Sequence, residues 1–186
     1  MDVTQQAIPP LPAIDGDQQS ESLRLDRMWG ERSGTLYKAW VQVRYHRKRQ
    51  RFYDLLDKIT KAATVVLGAT MMGKYLNTGF PWLATALTCL GFLALVFGYG
   101  DRKQHHKELA EHATRLVADI EAVPVADLSF QKTTAWASAY AQLVAKSPPP
   151  LKSLTLICER EQSVADGHSD HVPVLPWWKR WPADFI

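Results

Sequence analysis

Two small sets of side chains are the first candidates for chemistry. His105, Glu108 and His112 fall at i, i+3 and i+7, which on a helix puts them on roughly one face. Imidazole with carboxylate is a donor set that divalent transition metals accept. Cys158 with His168 and His171 offers a second, sulfur-containing set. Each has a plainer reading: the first as a solvated face near anionic headgroups, the second as a turn at Asp166-Gly167. The plainer readings are preferred, and neither a metal nor a cofactor is expected. The sequence has no glycine-rich phosphate loop, no HExxH and no CxxC, so nothing points to catalysis and an enzyme is disfavoured.

Near the C-terminus, Arg160, Lys179 and Arg180 are candidate contacts for an anionic ligand. Trp177, Trp178 and Trp181 add aromatic faces on which nucleic-acid bases stack. The competing reading packs those tryptophans against a neighbouring subunit or at a membrane interface. If a nucleotide acts on the chain directly, the sequence does not give the sign of its effect.

The elements that position these residues are dominated by one apolar region. Residues 75–100 run 26 positions without a charge. About 20 apolar residues are what a helix needs to cross a bilayer's hydrocarbon core, and residues 80–99 meet that length. Residues 59–76 are weaker, because Lys61 and Lys74 leave only 12 uncharged residues between them. Both lysines stand near the ends, where a long stem carries its ammonium toward the headgroups. Asn77-Thr78-Gly79 and Pro81 read as the turn of a helical hairpin. The expected fold class is all-α: a two-span transmembrane hairpin, about 59–76 and 80–99, with long flanking cytosolic helices forming a bundle.

The mean hydropathy of -0.21 and 22% charged residues would hide this hairpin, because the rest of the chain dilutes it. The flanks set its orientation. Seven Lys or Arg lie within residues 44–61, and Arg102, Lys103 and Lys107 follow the second span, against Lys74 alone between the spans. The positive-inside rule then puts both termini in the cytoplasm of a bacterial inner-membrane, multi-pass protein. Tyr75 and Trp82 suit the interface at the tip. The basic run over residues 44–51 also invites a nucleic-acid reading, but beside a span it is more simply a topological signal and an anionic-lipid contact. Cys89 falls in mid-span and Cys158 in the cytosolic part, so the two do not pair easily and a reducing compartment is consistent.

Within the spans, Thr60 and Thr64 stack one turn apart, and Thr85 lies near Thr88. These four are the pore-lining candidates. The alternative is that each hydroxyl simply bonds its own i−4 carbonyl. Ala69 with Gly73 and Ala94 with Gly98 are small-xxx-small pairs that permit close helix packing. Two helices enclose no lumen, so a pore requires a homo-oligomer, expected to hold four or more copies.

Residues 1–20, with three prolines and no Lys or Arg, read as a disordered tail and not as a secretory signal. Residues 22–58 contain no proline, and Leu36, Trp40 and Val43, then Phe52, Leu55, Leu56 and Ile59, recur at helical spacing into the first span. Gly30 and Gly34 are candidates to divide that helix. Leu109, Ala113, Leu116, Val117 and Ile120 form one stripe, interrupted by Pro124. A helix over residues 129–146 is expected to carry Phe130, Ala137, Tyr140, Ala141 and Val144 on one side. Residues 151–165 alternate partly like a strand but are read as helix, because a lone strand has no partner for its backbone. The tail over residues 172–186, rich in Trp and Pro, is expected to be irregular.

The arrangement resembles a known family. AWVQVRYHRKRQRFYDLLDKI leads into the hairpin, FGYGDRKQHHKELAEHATRLVADIEAV follows it, and LICEREQSVADG comes later. Together these are similar to the SLATT group of two-span effectors from bacterial nucleotide-dependent conflict systems, over roughly residues 21–171. The resemblance implies assembly in membrane lipid and damage to that membrane when a partner nucleotidyltransferase signals infection through a nucleotide or oligonucleotide. A nucleotide-regulated pore is the reading it favours. A non-conducting anchor that recruits a cytosolic partner is the alternative.

Overall fold

The computed structural model describes residues 16–72, 81–169, 171–174 and 176, and every regular element among them is helical. The spine is α1, Gly16–Met72, a single helix of 57 residues and about 86 Å. No proline interrupts that stretch. Asp54–Lys58 and Asp57–Lys61 ion pairs, each 2.7 Å, tie successive turns in the favourable acid-before-base order. Gly30 and Gly34 do not divide it, contrary to expectation, and the helix begins at Gly16, inside the segment read as a tail. Glycine weakens a helix interior by less than about 1 kcal/mol, too little to break one held by packing along its length.

After α1, α2 (Pro81–Phe97) begins on a proline, which needs no amide partner in a first helical turn. It ends before Gly98, whose backbone is left-handed at φ 52° and ψ 46°. The chain then resumes directly as α3, Tyr99–Glu121. This joint lets α3 return along α1. Arg32 reaches the Ile120 carbonyl, His46 meets His106 and Asp54 meets Lys103, an antiparallel pairing stepped along both helices.

A single 3-10 turn, Val125–Asp127, follows Pro124. Ser129 caps α4 (Phe130–Lys146) by accepting from the Lys132 amide, satisfying one of the four orphan N–H groups at a helix start. Pro148, Pro149 and Pro150 separate it from α5, Lys152–Ala165, which is the expected helix and not a strand.

Two cores flank α1. Ala39 and Val43 pack with the α3 stripe of Leu109, Ala113, Leu116, Val117 and Ile120, together with Trp136 and Leu143 of α4. Val41 and Tyr45, turned to the opposite side of α1, pack with Leu154 and Cys158 of α5. The face expected for α4 is corrected in part: Thr133, Trp136 and Leu143 are the buried residues and Tyr140 packs half-buried against the same core, whereas Phe130, Ala137, Ala141 and Val144 are exposed. Trp136 is the largest apolar side chain on α4, and its burial fixes the helix's rotation. Polar contacts finish the α5 seam, with Tyr37 Oη donating to the Glu159 carbonyl, Arg44 Nε to Gln162 Oε1 and Lys48 Nζ to Glu161 Oε1.

Among the described residues, no helix is long and apolar enough to cross a membrane. The 17 residues of α2 come to about 26 Å. The uncharged run in the sequence is longer than α2, and its first part lies outside the described residues.

Candidate functional site at the base of the apolar hairpin

Where α1 and α3 approach the apolar helices, two histidines face each other inside the bundle. His46 and His106 are buried, with their Nδ1 atoms 2.9 Å apart. His46 Nε2 lies 3.2 Å from Ser147 Oγ, and that hydroxyl donates to the Leu143 carbonyl at 2.9 Å. A hydroxyl has one hydrogen, so Ser147 accepts from His46, and Nε2 is the protonated nitrogen of that ring. The neutral His46 ring then presents a bare lone pair at Nδ1, to which His106 donates from its own Nδ1–H. One proton-ordered chain therefore links α3, α1 and the end of α4. It leaves His106 Nε2 as a hydrogen-bond acceptor without a protein partner among the described residues.

Neutrality of both rings is dictated by their surroundings. Burial first, then the neighbouring His106 and His105 rings, hold His46 down to about 3. Burial first, then Arg49, His105 and Arg102, hold His106 down to about 4. Tyr53 stacks on His106 with ring centroids 5.6 Å apart and planes within 13°. The Arg49 guanidinium lies 4.7 Å from the Tyr53 ring centroid and donates to the Tyr53 hydroxyl, so an aromatic face positions a cation at the edge of the pair.

His106, Tyr53 and Arg49 line a pocket of about 470 Å³, within the ordinary range for small-molecule sites. One wall is Tyr45, Arg49 and Tyr53 of α1, and the opposite wall is the first two turns of α3, including Arg102 and His106. Pro148 and Pro149, in the link between α4 and α5, form the third side. Next to the pocket, Asp54 bridges Lys58 and Lys103, both at 2.7 Å. The Lys103 hydrogen bond, then that of Lys58, holds the Asp54 carboxyl down to about 2. Those two lysines are thereby paired, whereas Arg102 makes no ion pair among the described residues.

The residues singled out from sequence are dispersed. Thr60 and Thr64 do lie one turn apart on α1, and their hydroxyls donate to the Leu56 and Thr60 carbonyls at 2.7 and 2.8 Å. Thr85 and Thr88 are exposed on α2. Ala69 belongs to α1 and Ala94 to α2, while Gly73 is outside the described residues. Gly98 is the left-handed joint between α2 and α3, a role in backbone geometry that its small-xxx-small spacing did not reveal. Arg160 donates to the Val172 carbonyl at 2.9 Å and lines an apolar groove with Ile157, Val164 and Val174. Trp177, Trp178, Lys179, Arg180 and Trp181 lie outside the described residues. His105, Glu108 and His112 are exposed, and no group of three potential metal ligands occurs among the described residues.

The histidine pair escaped the sequence reading, although a signal for it exists. His46 continues the Ala39–Val43 stripe at i+3, and His106 precedes Leu109 by three, so both occupy core register. No family model, no curated protein and no solved structure matches this chain.

Proposed function

We propose that the chain is a SLATT-type membrane effector of bacterial defence, which oligomerises in the inner membrane through its apolar hairpin and forms a pore regulated by a nucleotide signal. One observation carries the membrane part of this reading. Among the described residues the apolar helices pack against each other and leave large side chains bare: Val65 is 70% exposed, Val66 62%, Phe92 64% and Val96 58%. Large apolar side chains left bare in this way seek lipid or another subunit. With no charge on α2, the same surface suits the hydrocarbon core, and the uncharged run extends past the helix itself.

The pore follows from the same geometry by a second step. One hairpin has no lumen, so conduction requires several side by side, with Thr60, Thr64, Thr85 and Thr88 as lining candidates and Ala69, Gly73 and Ala94 at close contacts. Both hairpin helices are covalent extensions of bundle helices, so a change in the α1–α3 packing is transmitted along continuous backbone. The test is leakage of a trapped dye from liposomes carrying the purified chain. Release that depends on protein density supports a pore. Intact liposomes under every condition, with retention of a soluble partner by the bundle, would establish the anchor instead.

A further inference from the structure

We propose that the pocket between α1, the start of α3 and the Pro148-Pro149 link binds a phosphate ester, with the phosphate on Arg102 and a ligand N–H or O–H donated to His106 Nε2. This rests on the reading of the chain as a regulated effector and adds the site and chemical class of its regulator.

Three independent features of the pocket specify that chemistry. Arg102 supplies a guanidinium with no ion-pair partner among the described residues, and two N–H groups in a rigid fork match two phosphate oxygens. It stands in the first turn of α3, whose N-terminal amides add partial positive charge. His106 is 3% exposed, and its Nε2 meets no protein donor among the described residues. The proton order imposed by Ser147 makes that nitrogen an acceptor, so the complementary ligand group is a donor. A bare inorganic anion satisfies Arg102 alone. A nucleoside phosphate satisfies both, through its phosphate and a sugar hydroxyl or exocyclic amine, and its remaining bulk meets Tyr45 and the flat Pro148-Pro149 wall. Asp101 also lines the pocket and disfavours ligands with extended negative charge near the α3 start.

The position gives binding a consequence. Arg102 is two residues past the uncharged run, and Arg49 is ten residues before residue 59. A ligand held by Arg102 and His106 of α3, with its bulk on Tyr45 of α1, bridges the two helices close to where they meet the apolar hairpin. It therefore favours whichever hairpin arrangement keeps those walls at the right separation. A lipid phosphate monoester at the membrane surface carries the same chemistry as a soluble nucleotide, and the experiment separates the two.

The full chain in phosphatidylcholine nanodiscs is titrated calorimetrically with adenosine 5′-monophosphate and, separately, with inorganic phosphate. A third arm measures phosphatidic acid retained by the protein after extraction from mixed bilayers. The expected result is saturable nucleotide binding, weaker inorganic phosphate binding, and a loss of about tenfold or more in R102Q, with the exposed K152Q control unchanged. Arg102-dependent retention of phosphatidic acid without nucleotide binding assigns the same site to a headgroup. Equal binding by R102Q and the parent chain, or no binding of any probe, overturns the proposal. Binding is read without conductance, so a pocket that binds in a chain that never leaks would refute the pore and leave the site standing.

Discussion

His46 and His106, sixty residues apart in sequence, share one hydrogen between Nδ1 atoms 2.9 Å apart. The bond requires a bare Nδ1 on His46, because a proton there would place two donors nose to nose. In the unfolded chain each imidazole titrates near its ordinary 6.5, but in the fold His46 is held to about 3 and His106 to about 4. Between those values the unfolded state binds more protons, so stability rises with pH there. The contribution is fully present above about 6.5 and is lost as pH falls toward the folded values. Each histidine accounts for up to about 1.4 kcal/mol per pH unit within its window. Thermal unfolding followed by circular dichroism at pH 7.5, 6 and 5 should show a falling midpoint, with a shallower fall in H106N. A midpoint unchanged from pH 7.5 to 5 would mean the rings are not buried neutral.

The rotation of α4 gives a sharp contrast between two aromatic residues six positions apart. Trp136 is buried in the main core and Phe130 is 65% exposed. W136A should therefore destabilise by about 3–5 kcal/mol, while F130A should stay within about 0.5 kcal/mol. Chemical denaturation of both variants checks the pair. Comparable losses would restore the α4 face expected from sequence.

Much of the helical order was legible because it is written in local signals. The triple proline after Ser147 and the Leu109-to-Ile120 stripe each belong to one element, and each proved to do what its spacing implied. The misreadings concern residues whose environment is set by other helices. The α4 face was misjudged because Phe130 and Val144 are apolar but Trp136 wins the core. Gly98 reads as small in sequence, and only its φ of 52° identifies a joint. His46 and His106 are polar residues in apolar register, tolerated because each supplies the other's partner, and a partner on another helix is invisible to periodicity. Long-range pairing likewise explains the pocket: Arg49, Arg102 and Pro148 converge only once α3 has folded back along α1.

Glycines at two positions should respond in opposite directions to alanine. Gly34 lies inside α1 with nothing within 4 Å of an added Cβ, so G34A should stabilise by about 0.5–1 kcal/mol. At Gly98 an added Cβ has room, with Asp101 Oδ2 at 3.8 Å, but the left-handed backbone penalises it by about 1–2 kcal/mol. G98A should therefore lower the unfolding midpoint. A stabilised G98A would show that α2 and α3 join as one continuous helix.

Orientation is tested by where the hairpin tip emerges. With basic side chains clustered before α1's apolar end and again at Arg102, Lys103 and Lys107, both termini should remain cytoplasmic. A reporter active only in the periplasm should be silent at either terminus and active when inserted between Asn77 and Thr78. Activity at a single terminus would require one crossing and would end the hairpin proposal. Silence at all three positions would place the apolar surface against protein and not across a bilayer.

Thr64 and Thr88 offer the most direct probe of conduction. Both are exposed on the apolar helices, outside the bundle cores, so their replacement leaves the soluble packing untouched. The Thr64 hydroxyl already donates to the Thr60 carbonyl, yet its oxygen keeps acceptor capacity for water or an ion. Leucine at either position removes that oxygen and adds apolar bulk, and a narrow passage lined this way dewets. T64L and T88L should therefore reduce liposome leakage by about tenfold, the effect of raising the barrier by roughly 1.4 kcal/mol. Their oligomeric state in mild detergent should match the parent chain's. Undiminished leakage in both would turn these threonines toward lipid and move the search for the lining to the opposite faces of α1 and α2.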